Sequence, residues 1–209
     1  MQENLMSLLQ GTLSDGMIDQ LSQQVGGADK QQTEAAASGI VNTLMGALAK
    51  NAETTEGARS LDQALEQDHD GSILNDVMGM LSGQQAQDQH TRMLNGSGII
   101  NHVLGDKQGG AVQMISKLSG LDTNKTGSLM TMLAPVVMGA LGKTKQEKGL
   151  DVAGIASLLS GTVSAERQNT DNPAIDMAMR FIDSDGDGSV ADDVASIGMK
   201  MLGGLFGRR

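Results

Sequence analysis

Apolar residues recur at three- and four-residue spacing through most of the chain, which is the period of one face of an α-helix. Between these apolar stretches lie short polar breaks with Gly, Asp or Thr. The longest nearly continuous apolar run, from Leu129 to Leu141, contains Pro135 and is shorter than the roughly 20 residues of a membrane span. Both patterns predict buried helices. The residues of the clearest stripe are Ala36, Ala37, Ile40, Val41, Leu44, Met45 and Leu48.

The stripe is part of an internal repeat, which appears when the sequence is aligned with itself at an offset of 93 positions. In each copy a short amphipathic helix, a break and an Asp precede the long apolar helix. Asp29 and Asp122 are predicted N-caps, because a short carboxylate accepts the unpaired N–H groups of a first helical turn. The aligned pairs include Asp29 with Asp122, Thr33 with Thr126, and Met45–Leu48 with Met138–Leu141.

The repeat divides the first 162 residues into two related multi-helix units, at about 17–82 and 96–162. Each unit ends in a further short helix, predicted to begin near Leu61 in the first copy and Leu150 in the second. A Gln-rich polar stretch, 83–95, separates the units. Apolar periodicity stops again over 163–172, which we interpret as a linker to a C-terminal module, 173–209.

Composition narrows the fold class. Aromatic residues make up 1% of the chain and Met contributes 15 residues, so the core must be aliphatic and thioether in character. Good helix formers are plentiful while strand-favouring aromatics are nearly missing, which favours an all-α fold. A formal net charge of -10 disfavours nucleic acid and anionic lipid as partners. The chain has no Cys, and its N-terminus lacks a basic signal-peptide region, so we expect a cytoplasmic location.

The most specific chemical motif is an EF-hand-like loop in the C-terminal module. Asp183, Asp185 and Asp187 occupy loop positions 1, 3 and 5, and Gly188 follows at position 6, where the loop turns sharply. Carboxylates at alternate positions of a tight loop point toward one centre, and the backbone carbonyl of Ser189 at position 7 adds an oxygen. The pattern predicts a Ca²⁺ site, with Mg²⁺ as the alternative occupant and a solvated acidic turn as the structural alternative.

Closure of this loop departs from the EF-hand pattern. Val194 stands at position 12, where an EF-hand has a bidentate Glu. Asp193 is therefore predicted to complete the site, with Asp192 as the second candidate. A single loop without the usual closing ligand is more typical of a weak structural ion site than of a calcium sensor.

Several segments together resemble a bacterial domain-of-unknown-function family, the one numbered 937. The resemblance covers most of the chain and implies a helical fold and a bacterial origin, but no catalytic residues. The segments that carry it are LSQQVGGADKQQT, MGALAKNA, DGSILNDVMGMLSG, GIINHVLGDKQG, LAPVVMGALG and FIDSDGDGSVADDV.

No catalytic motif stands out in the sequence. His102 lies on a short apolar helix, where a hydrogen-bonded structural role is favoured over a metal ligand. We therefore expect a non-enzymatic structural or interaction protein that binds an unidentified protein or itself, with one Ca²⁺ site stabilising the C-terminal module. A calcium-responsive partner-binding module with a Met-rich surface is the alternative, and a metal-dependent hydrolase is disfavoured because calcium activates water poorly.

Overall fold

The structure is a computed structural model that describes residues 5–68, 74 and 95–169, and every regular element with bounds in these ranges is helical. The predicted all-α class is confirmed. The helices are α1 (Leu5–Thr12), α2 (Asp15–Gln24), α3 (Lys30–Asn51), α4 (Thr55–Gln67), α5 (Gly96–Leu104), α6 (Gln108–Ser119), α7 (Thr123–Lys148) and α8 (Val152–Asn169). A 3₁₀ turn, Gly105–Lys107, connects α5 to α6.

The two longest helices, α3 and α7, pack against each other at the centre of the molecule. Every residue of the predicted α3 stripe is buried, and so is the whole run from Leu133 to Leu141 in α7. The middle turns of both helices are covered on nearly all sides, so buried residues occupy most of their circumference and not only one narrow stripe. The other helices pack around this pair, with α6 and α8 against α3 and with α5 and α1 against α7.

Both predicted Asp caps are confirmed. The Asp29 side chain accepts a hydrogen bond from the Gln32 backbone N–H at 3.0 Å. The Asp122 side chain accepts from the backbone N–H groups of Asn124 and Lys125 at 2.9 and 3.3 Å. These bonds satisfy first-turn donors that have no partner within the helix, and they fix where α3 and α7 begin.

A close crossing of α5 over α7 explains a glycine and a proline together. Pro135 lies inside α7 and has no N–H, so the carbonyl of Thr131, four residues earlier, loses its helical donor. The backbone of Gly96 approaches this same carbonyl so closely that a Cβ on residue 96 would lie 1.8 Å from the Thr131 oxygen. Only glycine fits at this crossing.

Three sequence-based boundaries need correction. A further helix, α1, precedes the predicted start of the first unit at residue 17. The helix expected to begin near Leu61 begins at Thr55, because Thr54 caps it by accepting from the Gly57 N–H at 3.0 Å. Helix α8 extends to Asn169, so residues 163–169 are helical where a linker was predicted. Good helix formers in this stretch continue the helix after its apolar face ends.

The helices from α1 to α4 and those from α5 to α8 follow the same order. Each set has two short helices, a long one and one of intermediate length. Contacts between the sets are reciprocal, because α1 packs on α7 while α5 packs on α3, and α4 packs on α8. The two halves described therefore share one core.

Candidate functional site

The predicted cation site lies outside the described residues. This applies to Asp183, Asp185, Asp187, Ser189 and Asp193, and to the whole of the 173–209 module. Within 5–68, 74 and 95–169, no group of three His, Cys, Asp or Glu side chains is arranged to hold a metal ion.

An open cleft of about 550 Å³ lies where the end of α3 meets α4 and α5. This volume is in the range of pockets for small molecules. Its floor is aliphatic, since Leu48, Leu61, Val103 and Met138 are buried there, and its rim is polar. The rim residues are Lys50, Asn51, Thr54, Glu56, Ser60, Asn95 and His102.

Hydrogen bonds fix the polar side chains around the cleft. Asn51 donates from Nδ2 to the Val103 carbonyl at 3.1 Å, which ties the end of α3 to α5 and leaves its Oδ1 as an acceptor. Asn95 caps α5 by accepting from the Gly98 N–H at 3.0 Å. Two sides of the cleft are therefore held by structural hydrogen bonds, so the cleft is preformed.

The charged side chains on the rim differ in whether they form an ion pair. Lys50 forms an ion pair with Glu53 at 3.0 Å. The Glu56 carboxylate is exposed and makes no ion pair with the described residues. His102 is also exposed and makes no hydrogen bond with the described residues, so its structural role stays a prediction. It lines the cleft.

A separate ionic cluster joins α4 to α7. Lys145 Nζ lies 2.9 Å from Asp62 Oδ1 and 2.6 Å from Glu66 Oε1. Only the contact with Glu66 has hydrogen-bond geometry, so Asp62 interacts chiefly through its charge. Burial lowers the pKa of Lys145, but the close contacts with the two carboxylates and their negative charges outweigh that effect and raise the pKa above the ordinary value of 10.5.

Sequence reasoning missed the cleft, apart from noticing His102. Its polar residues come from two consecutive helices, α3 and α4, and from α5, which lies about 30 residues further along the chain, and no motif spacing connects them. The only local signals were the Thr54 and Asn95 caps, each followed three residues later by glycine. These signals mark helix starts and carry no information about a pocket.

The described part of the chain is thus an all-α protein with a shared helical core and an aliphatic cleft. A family model described as "Bacterial protein of unknown function (DUF937)" matches residues 7–144, and the chain belongs to this family. The family resemblance drawn from the sequence is confirmed over these residues, and the segment FIDSDGDGSVADDV lies outside the match. No curated protein and no solved structure matches the chain. None of the described helices is long and apolar enough to cross a membrane.

Proposed function

We propose that the protein is a non-enzymatic helical structural or interaction protein, built from two related multi-helix units and a C-terminal module with one Ca²⁺ site. In this proposal the units run from α1 to α4 and from α5 to α8, so the first begins before residue 17 and the second ends beyond residue 162. The proposed location is the cytoplasm, and the proposed partner is another protein or a second copy of the chain.

A repeated polar network is the observation that carries the architecture. Ser22, near the end of α2, donates to the Ala28 carbonyl just before the Asp29 cap. Ser116, near the end of α6, donates to the Leu121 carbonyl just before the Asp122 cap at 2.7 Å. The two turns thus use the same bond at the same place, although the second turn is shorter.

The same network continues into the long helices. The buried hydroxyl of Thr33 donates to the Asp29 carbonyl at 2.8 Å, and that of Thr126 donates to the Asp122 carbonyl at 2.9 Å. A buried hydroxyl needs a hydrogen-bond partner, so each of these threonines depends on the position of the backbone carbonyl that accepts from it. Recurrence of serine, aspartate and threonine with identical bonds supports two copies of one unit.

The cation site rests on the sequence of the Asp183–Ser189 loop, which supplies carboxylates at loop positions 1, 3 and 5 and glycine at 6. Three carboxylates brought to one point repel each other without a cation. We therefore expect bound Ca²⁺ to stabilise the C-terminal module, with Asp193 closing the site. Mg²⁺ binds more weakly there because it demands a stricter octahedral geometry.

Calorimetric titration of the full chain with Ca²⁺ and Mg²⁺ tests this site, together with thermal melting followed by circular dichroism in chelator and in each ion. We expect heat of binding and a higher melting temperature in Ca²⁺, both abolished by Asp185→Ala. Asp106→Ala, which removes an exposed carboxylate from the 3₁₀ turn, is the matched control. Absence of both signals in the unmodified chain would refute the site.

A hydrophobic dye distinguishes a structural ion from a switch. If Ca²⁺ acts as a structural clip, dye fluorescence stays unchanged on Ca²⁺ addition while the melting temperature rises. A Ca²⁺-dependent increase in dye binding would contradict the structural role and establish a responsive binding module instead.

A further inference from the structure

We propose that the cleft between α3, α4 and α5 binds an aliphatic cation, a molecule with an alkyl body and an ammonium head. This goes beyond the proposed function and does not require the Ca²⁺ site. The proposal stands on the aliphatic floor, on the unpaired carboxylate of Glu56 and on the remaining acceptor of Asn51.

The floor selects for an alkyl body. Leu48, Leu61, Val103 and Met138 present only aliphatic and thioether groups. No Phe, Tyr or Trp lines the described cleft, and its one imidazole, that of His102, belongs to the rim. Stacking, which favours flat aromatic ligands, is therefore missing from the floor. Flexible side chains such as Met138 adapt to a chain of variable shape. Transfer of CH₂ groups from water onto the floor provides the main attraction.

The rim selects for a positive head. Lys50 is neutralised by Glu53, whereas Glu56 has no cationic partner among the described residues. Asn51 Nδ2 is used on the Val103 carbonyl, so its Oδ1 is left to accept a hydrogen bond from the ligand. A carboxylate and an amide oxygen at the rim match the donors of an ammonium group. The net charge of -10 adds a favourable long-range field.

The corresponding helix in the other half of the molecule, α1, differs from α5 at the position of His102. Before the Asp caps the two copies are offset by 94 positions, as Ser22 and Ser116 show, because the second turn is one residue shorter. At this offset Leu8 of α1 corresponds to His102 of α5, and both positions precede a buried aliphatic residue, Leu9 or Val103. Leu8 packs against the core, whereas His102 is exposed at the cleft. This step uses the repeat proposed above, while binding itself is independent of it.

The test is titration of the full chain with octylamine, octanol and octanoate below their aggregation concentrations, in chelator so that the Ca²⁺ site has no influence. Calorimetry measures affinity, and two-dimensional amide NMR locates the perturbed residues. We expect octylamine to bind most tightly and octanoate least, with shifts concentrated at Asn51, Glu56 and Val103. Equal affinity for the amine and the acid, or shifts spread over the surface, would overturn the proposal.

Two substitutions sharpen the result. Glu56→Gln removes the charge at nearly constant shape and should weaken octylamine about two- to fivefold, the size of an exposed ion pair, while leaving octanol unchanged. Ser60→Leu places a larger side chain in the cleft and should weaken both ligands. Ser157→Leu makes the equivalent change on α8 away from the cleft and should weaken neither. Unchanged binding in both cleft variants would refute the assignment, and separate melting curves verify that each variant is folded.

Discussion

Replacement of Lys145 by Met tests whether the ionic cluster between α4 and α7 stabilises the fold. The Lys145 side chain is only 10% exposed, and Asp62 beside it is 18% exposed. Lys145→Met keeps most of the aliphatic stem but leaves the Asp62 carboxylate without its counter-charge. Loss of one partner from a buried pair costs about 3–5 kcal/mol. Since Glu66 is 63% exposed and solvent screens its share, we expect a loss of about 2–3 kcal/mol.

Urea unfolding followed by far-ultraviolet circular dichroism measures this loss directly. Lys143→Met is the control on the same helix, because Lys143 lies 3.9 Å from Glu147 and both side chains are about half exposed. That variant should change the free energy of unfolding by less than about 0.5 kcal/mol. The double variant Lys145→Met with Asp62→Leu should recover most of the loss, since it removes the orphaned charge as well.

The pH dependence supplies an independent check. The pKa of Lys145 is raised in the folded protein, so its stabilising contribution is fully present below the ordinary lysine value of 10.5. It is lost as the pH rises through the folded-state pKa. The difference between the unmodified chain and Lys145→Met should therefore be constant near neutral pH and shrink above pH 10.5. Equal stability of the two proteins at pH 7 would refute the reasoning.

Two further predictions concern a close helix crossing and a helix cap, and both are measured by the same unfolding assay. Gly96→Ala should destabilise by more than about 2 kcal/mol because its Cβ would overlap the Thr131 carbonyl, whereas Gly161→Ala, on an open face of α8, should stabilise by up to about 1 kcal/mol. A neutral Gly96→Ala would mean that the two helices do not cross this closely. Asp122→Ala should cost about 1 kcal/mol by removing the N-cap of α7, against no change for the exposed control Asp106→Ala.

The sequence predicted helix positions well where the deciding interactions lie within a few residues along the chain. Asp29 and Asp122 were recognisable as caps because a capping carboxylate acts within three residues of its own position. The buried stripe of α3 was recognisable because one helix face repeats every three to four residues. The end of α8 was misplaced, since helix-forming polar residues such as Glu166 carry the backbone on after the buried face has stopped.

The sequence by itself determined the all-α class, the aliphatic core and the caps, because composition, periodicity and capping depend on neighbours along the chain. Only the tertiary structure decided that α5 crosses α7 at Gly96, that Lys145 meets Asp62, and that Asn51, Glu56 and His102 surround one cleft. Apart from Asn51 and Glu56, the residues that meet here are distant in sequence. Their positions follow from how the two long helices pack and from which faces of these helices the shorter ones can cover. Side-chain packing across helices sets such contacts, and a single sequence carries no separate mark of it.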